Sequence, residues 1–158
     1  MKFRYISWIA VILWMIFIFC LSSQEAEQSN RLSKDVAEVI VSTIEKVAPN
    51  VDFDIRSLNN TIRKNAHFFT YLMLGILTMV TFRISGARKY NSFTWAFTVC
   101  TAYAILDEVH QLFVPGRGSQ FTDVVIDAAG AAVGIGLYLI AGRIYHGICR
   151  KVFKADRI

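Results

Sequence analysis

Apolar positions along the chain fall into four long blocks, at 5–21, 66–82, 93–113 and 124–141, separated by polar stretches. A helix crosses the hydrocarbon layer of a bilayer in about 20 residues. In lipid only helices and closed barrels satisfy their own backbone. Blocks of this length therefore predict four membrane-spanning helices. The first follows the basic start Met1-Lys2-Phe3-Arg4 and carries Trp8 and Trp14. No A-x-A-like cleavage site follows it, so it is expected to be a retained span and not a removed signal.

Between the first two blocks the composition turns to mixed charge. Leu32, Val36, Val39, Ile40 and Val47 recur near helical spacing, after Ser29-Asn30 and before Pro49. That pattern predicts an amphipathic helix over 29–47, too polar to span and expected on the outer surface. The alternation from Val51 to Ile55 reads as a short extended segment. The predicted fold class is all-α: a polytopic membrane four-helix bundle with an additional extracytoplasmic amphipathic helix. With 158 residues, 54% of them hydrophobic, the chain is too apolar for an ordinary soluble domain and is expected to form one membrane domain over 1–158.

Charge then orients the bundle. Lys and Arg outnumber Asp and Glu by 17 to 12, but in a membrane protein the placement of basic residues sets topology, and no nucleic-acid partner is expected. Lys2 and Arg4, then Arg83, Arg88 and Lys89, then Arg143 and the basic tail mark three segments as cytoplasmic. Both termini are therefore expected inside, with Lys64 and Arg117 outside against the rule. Cys20, Cys100 and Cys149 are scattered, without disulfide or zinc spacing.

Under this topology polar residues from three spans meet just inside the outer surface. Lys64, His67 and Tyr71 are spaced to share one helix face, as are Tyr103, Asp107, His110 and Gln111, with Glu108 to the side. Asp123 and Asp127 are spaced i, i+4 at the start of the fourth span, and Gly130 and Gly134 continue their stripe as a small-xxx-small pair that lets a neighbouring helix approach. A mid-bilayer charge costs roughly 2.5–3.5 kcal/mol on insertion scales, so such groups usually face a bundle interior and serve a purpose. Each also has a purely structural account: Arg117 pairing with Asp123, Asp107 with Lys64, or either histidine hydrogen-bonded in the interior.

The site residues expected from these patterns are Lys64, His67, Tyr71, Asp107, Glu108, His110, Gln111, Arg117, Asp123 and Asp127. Lys64 and Arg117 suit a phosphate or carboxylate, with Glu108, His110 or Asp107 available as a base, as on a lipid phosphate or cell-wall precursor. Whether a reaction is catalysed stays open. His67, His110, Glu108, Asp107, Asp123 and Asp127 are also metal-type donors. There is no H-E-x-x-H, however, and the two histidines lie on different spans, so no metal and no cofactor is expected. Ser119 lacks the local elbow of a nucleophile. Three functions fit: a binder of an anionic or polar envelope ligand, a membrane enzyme acting on a lipid-linked phosphate or cell-wall precursor, and a structural partner packed through its glycine face.

Lys64-Asn-Ala-His67-Phe-Phe-Thr-Tyr71, Asp107-Glu108-Val-His110-Gln111 running into Val114-Pro115-Gly116-Arg117, and Asp123-Val-Val-Ile-Asp127-Ala-Ala-Gly130 together resemble the VanZ-like family, as does Ser22-Ser23-Gln24 after the first span. The resemblance covers most of the chain in order and leaves 25–60 unconstrained. Where the family often has Asn near the start of the fourth span, this chain has Asp127. The resemblance implies a four-span bacterial plasma-membrane protein in contact with the lipid bilayer, with a lipid-linked cell-wall precursor or a lipoglycopeptide as partner. By analogy with the family's namesake, it also implies a part in teicoplanin-type resistance that does not remodel the peptidoglycan stem.

Overall fold

The computed structural model describes residues 2–24, 35 and 55–155; the side chains of 55–60, 89 and 149–155 are not described. Apart from Asp35, the expected amphipathic helix over 29–47 lies outside the described residues, as does most of the alternating segment before Ile55. The described residues form four helices and no strands: α1 (Lys2–Ser22), α2 (Ile55–Ile84), α3 (Lys89–Gln111) and α4 (Phe121–Ala155). The all-α bundle read from the sequence is what the chain forms.

Connections fix the topology. At the end of α2, Gly86 adopts φ 89°, its N–H donates to Arg83 O, and the Ala87 N–H reaches back to Phe82 O. This is the left-handed glycine stop of a helix, and it reverses the chain within a few residues. α3 ends in tightened turns, with Leu112 N–H on Val109 O and Phe113 N–H on His110 O, before Pro115 prevents continuation. Gly116, at φ 74°, follows, and Arg117 N–H closes onto Val114 O. Pro then a left-handed Gly is the signature of a type II turn.

Long-range contacts give the directions. Trp14 Nε1 donates to Thr70 O at 2.9 Å and Thr81 Oγ1 to Ser7 O at 3.3 Å, so α1 and α2 run antiparallel. α2 and α4 run parallel and pack most closely, because both carry small residues where they meet. A Cβ on Gly130 would strike Phe68 O, one on Gly134 would strike Leu72 O, and one on Gly75 would strike Ala131 O. The glycine stripe of the fourth span thus faces the second helix. The result is an up-down-up-down bundle around Val11, Ile18, Tyr71, Leu74, Cys100 and Ala104, with Met79, Ala96 and Ile135 forming a second core layer.

Among the described residues three helices are long and apolar enough to cross a membrane: α1, and the segments Thr61–Ile84 of α2 and Phe121–Ile148 of α4. α3 is long enough but less apolar, because it carries Asn91, Ser92, Asp107, Glu108, His110 and Gln111. Ser92, Asp107, Glu108 and Gln111 are all buried, against neighbouring helices or the loops at either end of α3, and Asn91 is exposed in its first turn. Its buried polarity faces protein, which is how a bundle accommodates such a helix.

Candidate functional site

The start of α2, the end of α3, the start of α4 and the end of α1 come together at one end of the bundle. Parallel packing of α2 on α4 sets the first pairings. Lys64 Nζ lies 3.7 Å from Asp123 Oδ1, partly exposed. One turn deeper, His67 Nδ1 lies 3.6 Å from Asp127 Oδ2, which is 2% exposed. Lys64 is therefore paired with Asp123, and neither the Lys64–Asp107 nor the Arg117–Asp123 pairing forms.

α3 divides its polar residues between two neighbours. Asp107, 4% exposed, turns toward α2 and α4, where one oxygen of it, one of Asp127 and a nitrogen of His67 lie within 4.8 Å of one another. Both Asp107 oxygens, Asp127 Oδ1 and His67 Nδ1 are buried without a hydrogen bond. Tyr71, one turn below His67, is completely buried, and its hydroxyl also lacks a partner. That hydroxyl lies within electrostatic reach of both carboxylates. Buried polar groups in proteins are nearly always satisfied, so a cluster of orphans demands an explanation.

The other residues of α3 serve α1 and the loop. Gln111 Nε2 donates to Ser22 Oγ at 2.8 Å. His110 Nε2 lies 3.1 Å from Ser23 Oγ, with its ring 4.5 Å from that of Phe19. Glu108 Oε1 accepts the Gln120 N–H and so holds the loop between α3 and α4. Tyr103 donates its hydroxyl to Met15 O. His110 and Gln111 thus contact the end of α1, Gln111 meeting the cluster only through Ser22, the neighbour of Asp107, and Glu108 is engaged by the backbone. Ser22 and Ser23 enter the site only through the resemblance above. Arg63, beside the cluster, stands out in no motif because it sits in a run of mixed charge.

The type II turn carries Arg117 over this end. Its Nε is buried without a hydrogen-bond acceptor. Burial and the nearby Arg63 push the guanidinium below its ordinary value, while Asp107 and Glu108 draw it back up. An arginine so placed remains charged. Arg63, Lys64, His67, Asp123, Ile126 and Asp127 line a cavity of about 10 Å³, which is room for roughly one water-sized species. The arrangement is a basic rim (Arg63, Lys64, Arg117) above a buried, acid-rich floor (Asp107, Asp127, His67).

The VanZ/LLP1 family profile matches residues 7–142. No curated protein and no solved structure matches the chain. The match takes in every residue of the site and falls on all three apolar helices of membrane-crossing length. The chain therefore belongs to the VanZ/LLP1 family and is a multi-pass membrane protein.

Proposed function

We propose that the site end of the bundle faces outward from a bacterial plasma membrane and binds the anionic or polar headgroup of an envelope molecule. The ligand is a lipid-linked cell-wall precursor or a lipoglycopeptide, and its capture lowers susceptibility to teicoplanin-type antibiotics. Orientation follows from charge: Lys2, Arg4, Arg83, Arg88, Lys89 and Arg143 all belong to the opposite end, and basic residues flank the cytoplasmic side of membrane helices. Both termini are then cytoplasmic.

The observation that carries the proposal is Arg117. A rigid turn holds its guanidinium within electrostatic reach of His67, Asp107 and Glu108, and its buried Nε has no acceptor. A planar donor fork at the mouth of a bundle suits a phosphate or carboxylate oxygen. The small cavity beneath excludes a sugar or peptide, so the ligand's charged group would sit at the rim with the remainder in the outer leaflet.

The test is lipoglycopeptide susceptibility in a host lacking the protein, at matched membrane abundance. Wild type is expected to raise the inhibitory concentration at least fourfold. Arg117→Ala should remove that protection without lowering abundance, because the side chain anchors no helix. Protection that survives in Arg117→Ala would exclude the arginine from ligand binding.

A further inference from the structure

We propose that His67 Nδ1 and one oxygen each of Asp107 and Asp127 bind a divalent transition-metal cation of the Zn²⁺ class, its open position directed at the rim where the headgroup would sit. The inference deepens the site proposed above and rests on that reading only for the occupant of the open position.

Four observations carry it. First, three helices each contribute one metal-type donor, and the donor atoms lie within 4.8 Å of one another. Bonds of about 2.0–2.2 Å place tetrahedral ligands roughly 3.4 Å apart. His67 and Asp127 are already near that separation at 3.6 Å, and a modest side-chain movement by Asp107 completes the set. Second, His67 Nδ1, both Asp107 oxygens and Asp127 Oδ1 are buried without a hydrogen bond. Tyr71, from outside the donor set, holds a fully buried and unpartnered hydroxyl within electrostatic reach of the same carboxylates. Ser22 Oγ accepts from Gln111 and keeps its own hydroxyl proton for Asp107, whose second oxygen remains available to a metal.

Third, among the described residues neither Asp107 nor Asp127 makes an ion pair with a lysine or arginine: Lys64 pairs with Asp123, and Arg117 reaches Asp107 only through space. A divalent cation bound between the two carboxylates would neutralise them directly. Fourth, a cavity of about 10 Å³ adjoins His67 and Asp127 on the side of Arg63 and Lys64, room for one ligand oxygen or water beside the donors. One nitrogen with two carboxylate oxygens and an open fourth position is a zinc-type donor set that can still accept a ligand oxygen.

The experiment uses the full chain, purified in detergent and stripped with a chelator, titrated with Zn²⁺ alone by calorimetry. One ion per chain is expected, with a dissociation constant of order 1 µM or lower. Asp107→Asn and His67→Gln should each weaken it at least tenfold. X-ray absorption of the zinc-loaded wild type does not depend on the variants folding. It should give a nitrogen and oxygen shell near 2.0–2.1 Å with imidazole scattering. Absence of saturable binding would leave the cavity to water and overturn the proposal. So would a sulfur shell near 2.3 Å, or unchanged affinity in both variants. Arg117→Ala should bind zinc as wild type does while losing antibiotic protection, so failure of the metal site and failure of the headgroup site give different results.

Discussion

Gly134→Ala is expected to destabilise the bundle by about 1–3 kcal/mol or more, and Gly134→Leu to abolish accumulation in the membrane. The cause is backbone against backbone. A Cβ at position 134 runs into the carbonyl oxygen of Leu72 and lies 2.9 Å from its carbon, and no side chain there can move aside. α2 and α4 would have to separate. Because Lys64 with Asp123 and His67 with Asp127 depend on those helices staying close, separation would also dismantle the site. Gly136, on the same helix, is the internal control. A Cβ there would have nothing within 4 Å, and alanine gains up to about 1 kcal/mol of helix propensity over glycine. Thermal unfolding in detergent should therefore give opposite signs for Gly134→Ala and Gly136→Ala. Equal, small effects would mean that the close approach of the two helices contributes nothing.

The second large effect is expected at His67. Removing one partner of a buried charged group costs about 3–5 kcal/mol, and His67→Leu takes from Asp127 its ion-pair partner and from Asp107 the imidazole beside it. Restoring balance should restore stability: the double variant His67→Leu, Asp127→Leu is expected to recover at least half of the loss. Lys64→Ala provides scale. Its ion pair is 32% and 17% exposed on the two sides, and such surface pairs are worth about 1 kcal/mol or less. Unfolding of wild type, the His67→Leu and Asp127→Leu single variants and the double variant in one detergent gives the coupling directly. An additive double variant would show that His67 and Asp127 do not interact energetically.

Helix number and class are legible in the sequence because lipid demands long apolar runs, and because Gly86, Pro115 and Gly116 carry chain reversals that few other residues make. The packing face of α4 is legible too, since Gly130 and Gly134 fall on one stripe and backbones approach only where side chains are small. The division of α3 is not. His110 and Gln111 lie about 100° apart around the helix, with Asp107 between them, and such a spread can serve two neighbours or one. Only packing sends Asp107 to α2 and α4 and the other two to Ser22 and Ser23 of α1. The trio of His67, Asp107 and Asp127 is hidden for a related reason. Each comes from a different helix, so no local spacing joins them. α3 itself can be polar by composition because Asp107, Glu108 and Gln111 are buried against its neighbouring helices and the loop that follows it.

Capture of an anionic envelope molecule by the rim around Arg117 can be observed on the protein itself. Native mass spectrometry of the protein released gently from its own membranes tests it most directly. Wild type, released with a teicoplanin-type lipoglycopeptide present, should carry a bound lipid-linked cell-wall precursor or the lipoglycopeptide, and Arg117→Ala, folded to the same extent, should lose it. Identical adducts on both proteins, or none on either, would contradict capture at this rim.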